Sequence, residues 1–160
     1  MLKKYAKIVF VMVATFLFYC DKTKIFTEID FTFDEIEDAF PEKFAGNKLS
    51  LRNINKKTTQ KVFEKGLLGL YGSIISLEVI QCKTKKQCRA NFDKEHKILR
   101  KVGFEEFDLT QTGEAKLSYV AKDKIAGLVW TNKSFLFNLE AKTKKHLLAF
   151  LKSGKIAKIE

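Results

Sequence analysis

Three observations in the sequence predict an α+β fold, an antiparallel sheet with two to three helices packed on one side. Two capping-box patterns, Thr32-Phe-Asp-Glu35 and Thr84-Lys-Lys-Gln87, each precede apolar residues at helical spacing. Between Lys116 and Glu140, three runs rich in β-branched and aromatic residues are separated by short polar breaks, the pattern of an antiparallel meander. The composition, 46% hydrophobic and 31% charged over 160 residues, is that of a globular chain and unlike disordered, collagen-like or multi-span membrane sequences. A chain of this length can bury one real core without a metal or several disulfides, and no cofactor is expected.

The N-terminal segment reads as targeting. Met1 to Lys7 is a short basic leader, and Ile8 to Cys20 is a charge-free run of 13 residues that stops at Asp21-Lys22. That length lies within the roughly 7–15 residues of a signal-peptide core and short of the roughly 20 needed to cross a bilayer. Leu17-Phe18-Tyr19-Cys20 resembles the lipobox of bacterial lipoproteins, with an apolar residue three positions before the cysteine and Tyr19 where the family usually has a small residue. The resemblance implies a signal peptide over 1–19 and lipidation of Cys20 by a diacylglyceryl group. Behind it the residue pattern divides the chain into a tether over 20–31, a single domain over 32–152 and a charged tail over 153–160. The competing reading is an uncleaved anchor helix from about Leu2 to Cys20, with Lys3 and Lys4 on the cytoplasmic side. Both place the domain outside the cytoplasm. A third, a helix buried in a soluble protein, would need apolar surroundings on all sides, which a domain of this size has little room to supply.

Within the domain, the first capping box opens a helix over about Phe33–Phe44, limited by Pro41 and Gly46, with Phe33, Ile36, Phe40 and Phe44 on one face. Lys48 to Gln60 alternates weakly, giving a first strand and a polar turn. Lys61 to Cys82 contains Gly66, Gly69 and Gly72 among β-branched and aromatic residues, as one long bent strand or two joined strands would. Behind Thr84, the residues Cys88, Phe92, Leu99 and Val102 mark a second helix ending at Gly103. Lys116–Lys122, Ile125–Thr131 and Ser134–Glu140 are the meander, with Asn132-Lys133 as a hairpin turn. Leu147 to Leu151 is a short last helix after Thr143. Lys83-Thr-Lys-Lys86 and Lys142-Thr-Lys-Lys145 each join a strand to a helix, so an internally duplicated strands-then-helix unit is one reading and chance repetition of common residues the other.

The cysteines fit an oxidising compartment. Setting Cys20 aside leaves Cys82 and Cys88, an even remainder spaced for a short disulfide loop; two unpaired core residues are the alternative. Structural zinc needs four ligands, and the loop holds no histidine.

No catalytic, cofactor-binding or metal-ligating constellation stands out. His96 lies near the packing face of the second helix and His146 in the first turn of the last, and neither has a motif around it. The remaining signal is charge. Without Lys3, Lys4 and Lys7 the chain keeps 27 Lys+Arg against 19 Asp+Glu, with only three arginines and no nucleic-acid-binding motif. Lys86, Lys94, Lys97 and Lys101 fall on the outer face of the second helix. They are either a solvated face or contacts to an anionic surface, lipid or acidic protein. The expectation is a membrane-tethered, extracytoplasmic, non-catalytic binding or accessory subunit of a bacterial envelope. Its rivals are a single-span accessory subunit of a membrane complex and an envelope enzyme using carboxylates in a sheet pocket.

Overall fold

The computed structural model describes residues 25–26, 35–55, 62–102, 117–122, 125–153 and 156–159. The leader over 1–19, Cys20, most of the 20–31 tether, Thr32, Phe33 and the connector after Val102 lie outside the described residues. The α+β class with an antiparallel sheet is as expected. Short strands β1 (Ile25–Phe26), β2 (Lys43–Phe44) and β3 (Asn47–Lys48) precede β4 (Ser50–Asn53), β5 (Lys65–Tyr71) and β6 (Ile75–Gln81). Helix α1 (Lys85–Val102) follows, then β7 (Leu117–Lys122), β8 (Ile125–Asn132), β9 (Phe135–Ala141), α2 (Lys144–Ser153) and β10 (Lys158–Ile159). Six strands form one sheet in the order β4-β5-β6-β9-β8-β7, every pair antiparallel. Two three-stranded meanders, each followed by a helix, therefore meet where β6 pairs with β9.

Register fixes which residues face which layer. Leu67, Val79, Phe137 and Trp130 lie in one row across the sheet, and Gly69, Leu77, Leu139 and Leu128 in the next, all on what we call the inner face. Against this face pack Leu147, Phe150 and Leu151 of α2, together with Ile36, Ala39 and Phe40. Alternation puts Ile80, Leu136 and Val129 on the outer face, where they join Phe63, Cys82, Cys88 and Phe92 in a separate cluster. The helices thus divide between the two faces, where the sequence reading had them on one side. Strand β6 ends at Gln81, and the next residue, Cys82, joins the outer cluster as the chain turns into α1, whereas β9 ends at Ala141 on the inner face.

The helix expected over Phe33–Phe44 is corrected by the described part of that segment, a single 3-10 turn at Ile36–Ala39. Its cap is Glu35, whose N–H donates to Asp38 Oδ2 at 3.2 Å. Pro41 cannot continue the turn's hydrogen bonding and disfavours a helical Phe40, which is extended. The chain then reverses between Phe44 and Asn47, which pair across Ala45 and Gly46. Both turn residues have positive φ, 47° and 79°, the two-residue turn that suits strand twist. Phe44 still reaches the core, meeting Phe150 edge-on at 5.0 Å.

Two glycines carry specific burdens. Gly72, at φ 58°, begins the three-residue turn between β5 and β6, so the run from Lys61 to Cys82 is two joined strands. A Cβ at Gly69 would enter the ring of Phe40, so this position lets the 3-10 turn lie flat on the sheet. The β8–β9 turn falls on Lys133 and Ser134, one residue later than expected, with Lys133 at φ 52°. The C-terminal residues are not a frayed tail: Ile156 and Ala157 are buried in the inner core, and β10 pairs with β1.

Candidate functional site

Cys82 and Cys88 form a disulfide, their Cα atoms 5.6 Å apart. It links the end of β6 to the first turn of α1, which Thr84 caps by accepting the Gln87 N–H at 3.2 Å. Both cysteines are buried, and the Cys82 N–H donates to Ser134 O at 2.8 Å, fastening the end of β6 to the β8–β9 turn. Beside the bridge sits Asn91, 2% exposed. Its amide donates to Val62 O at 2.9 Å and its carbonyl oxygen accepts the Val62 N–H at 3.3 Å, a two-bond clasp between α1 and the segment entering β5. Sequence reasoning passed over Asn91. Its one legible signal was a polar residue next to Phe92 on the packing face of an amphipathic helix.

On the opposite side of α1, Lys86, Lys94 and Lys97 are all exposed. At about 100° per residue they fall within a stripe roughly 80° wide, pointing away from Cys88 and Phe92. Lys101 lies one turn beyond Lys97 along the same helix. The stripe is not purely basic, since the exposed Asp93 borders it, and Lys94 and Asp93 both have interaction partners.

The second helix differs. Leu147, Phe150 and Leu151 are buried, while Lys144, Lys145 and Lys152 are exposed. From Ala141 to Ile159 the chain carries six lysines and no Asp or Glu. Thr143 caps α2, its Oγ1 accepting the His146 N–H at 3.3 Å and lying 2.8 Å from His146 Nδ1. His146 is therefore half-buried and engaged at the cap, in the first turn of the helix as the sequence placed it. His96 is half-buried with its ring edge-on to Phe92 at 5.6 Å, the boundary position its spacing indicated.

Two depressions could in principle host a reaction. One of about 460 Å³ is lined by Glu37, Asp38, Glu42, Phe40, Pro41 and Ser153. Two of its three carboxylates are already employed. Glu37 meets the Lys65 ammonium at 2.8 Å, a contact that holds its carboxyl below the ordinary range, and Asp38 accepts the Glu35 N–H. Glu37 is therefore not poised as a general acid, which would need a raised pKa. The other, about 380 Å³ at one end of the outer sheet face, is mostly apolar and includes Ile125, Leu70, Ser76 and Glu140. Tyr71, beneath the inner core, donates its hydroxyl to Pro41 O at 2.8 Å, and burial pushes its phenol well above the usual range. It is a structural tie between β5 and the Pro41 segment.

Among the described residues, no cluster of His, Cys, Asp or Glu could hold a metal, and no helix is long and apolar enough to cross a membrane. Comparison with protein families, with curated proteins and with solved structures found no match.

Proposed function

We propose that the protein is a bacterial envelope lipoprotein, held at the membrane through Cys20, whose α+β domain lies outside the cytoplasm and acts by binding rather than catalysis. The observation that carries the reading is the charge-free run of Ile8 to Cys20 behind a basic leader, ending in Leu17-Phe18-Tyr19-Cys20. The Cys82–Cys88 bridge supports it, because disulfides persist in compartments that the export route reaches. The exposed lysines of α1 supply the binding face. They are presented together by a helix anchored to the sheet, and the field of such a stripe attracts an anionic partner over about 8 Å at physiological salt.

Replacing Cys20 by Ala tests the anchor. The expected outcome is a precursor that retains residues 1–19 and takes up no labelled fatty acid. A variant whose mature mass matches that of the unaltered protein would overturn the proposal.

A further inference from the structure

The proposed anchor leaves open which face of the domain meets the bilayer, and α1 is the obvious candidate. We infer instead that α2, through Lys145 and Lys152, is the face that lies against the anionic phospholipid surface carrying the protein's own anchor. The inference rests on attachment through Cys20 and adds the orientation of the domain.

The tether enters the fold beside α2. Strand β1 begins at Ile25, five residues after Cys20, and Ile25 pairs with Ile159 while Phe26 pairs with Lys158. The strand it pairs with, β10, packs against α2 and follows Ile156 and Ala157, both buried in the inner core. The chain therefore enters the fold on the α2 side. Five residues reach at most about 17 Å when fully extended. Helix α1 lies across the sheet, roughly two layer spacings of about 10 Å each from α2. A tether of that length cannot place α1 on the bilayer while β1 stays paired on the far face. An uncleaved anchor ending at Cys20 would impose the same limit.

Charge favours the same face. Lys145 and Lys152, seven residues apart, lie on nearly the same line along α2, opposite Leu147, Phe150 and Leu151. The stretch from Ala141 to Ile159 has no carboxylate side chain to offset them, whereas Asp93 borders the lysine stripe of α1. Lys22 and Lys24 of the tether, offset in part by Asp21, leave a net positive charge just before the point of entry. The Glu37, Asp38 and Glu42 group near Ser153 is partly neutralised by the Lys65 contact and borders the C-terminal end of α2 only. With α2 facing the headgroups, the α1 stripe points away from the membrane and remains open to an acidic protein.

The test is lysine footprinting of the full chain, purified with its native N-terminus and reconstituted into phosphatidylglycerol–phosphatidylcholine vesicles or phosphatidylcholine alone. Acetylation of Lys145 and Lys152 should slow about fivefold in the anionic vesicles, the factor equivalent to about 1 kcal/mol for a lysine at a charged surface, and recover at high salt. Lys86, Lys94 and Lys97 should react equally in both. Slowing confined to the α1 lysines, equal slowing of both sets, or no slowing in either would each overturn the assignment. The Cys20 peptide in the same digests reads the lipid separately, so a failed anchor is told apart from a wrong face.

Discussion

On the inner face of the sheet, α2, the 3-10 turn and the C-terminal residues bury Trp130, Phe137, Tyr71 and Phe150, with Trp130 stacked on Phe137 at 4.9 Å and Tyr71 edge-on to Phe150 at 5.2 Å. On the outer face α1 covers a smaller cluster around Phe92, Ile80, Val129 and Leu136, and adds the Cys82–Cys88 bridge and the Asn91 clasp. The two helices have similar amphipathic patterns yet are held by different means. Burial of large apolar side chains, each contributing roughly 1.5–3 kcal/mol, suffices for α2. Helix α1 depends in part on links whose chemistry is sensitive to redox conditions.

That contrast can be broken from either side. Phe150→Ala should have the largest effect, a loss of about 3–5 kcal/mol, because it opens a cavity among Tyr71, Phe44 and the sheet; urea denaturation measures it. A midpoint within error of the parent would refute the inner core as drawn. Replacing Cys82 and Cys88 together by Ala should cost less, about 2 kcal/mol for so short a loop. Hydrogen exchange in that variant should rise first in the early turns of α1 and leave α2 protected. Uniform deprotection of both helices would show that the bridge serves the whole domain. Asn91→Ala should cost on the order of 1 kcal/mol, the low end for unpaired backbone groups, because the exposed Val62 can recruit water. Lower protease resistance near Val62, with the sheet unaffected, is the expected signature.

The smallest effect belongs to the surface pair of Glu37 and Lys65. Because Lys65 lowers the Glu37 pKa in the folded state, the pair's contribution is present above the unfolded carboxyl pKa and is lost as pH falls through the lower folded value. Both side chains are well exposed, so Glu37→Gln should shift stability at neutral pH by no more than about 0.5 kcal/mol. A larger change, or one that persists below the folded value, would mean that Glu37 acts through something other than Lys65.

The sequence made the meander and α1 legible because their signals are local. Strand periodicity at 117–141, the Thr84 cap and the Cys88–Phe92 face are each set by residues within a few positions of one another. The segment around Phe40 misled because Ile36, Phe40 and Phe44 have helical spacing while Pro41 and the Ala45-Gly46 turn decide the backbone. All three remain in or against the core without a helix. The side on which each helix packs could not be read at all. Thr84 and Thr143 occupy equivalent places in the two Lys-Thr-Lys-Lys repeats, 59 positions apart, and an odd separation places equivalent residues of β6 and β9 on opposite faces. The Asn91 clasp and the β1–β10 pairing join residues far apart in the chain, and nothing near either one announces its partner.

The account stands on attachment through Cys20. The most direct measurement is the intact mass and N-terminal peptide of the protein extracted from the membranes of cells that make it. We expect a chain beginning at Cys20 that carries a diacylglyceryl group, with or without an N-acyl chain, since two or more chains are enough for stable anchoring. A peptide beginning at Met1, or one beginning at Cys20 without lipid, would contradict it.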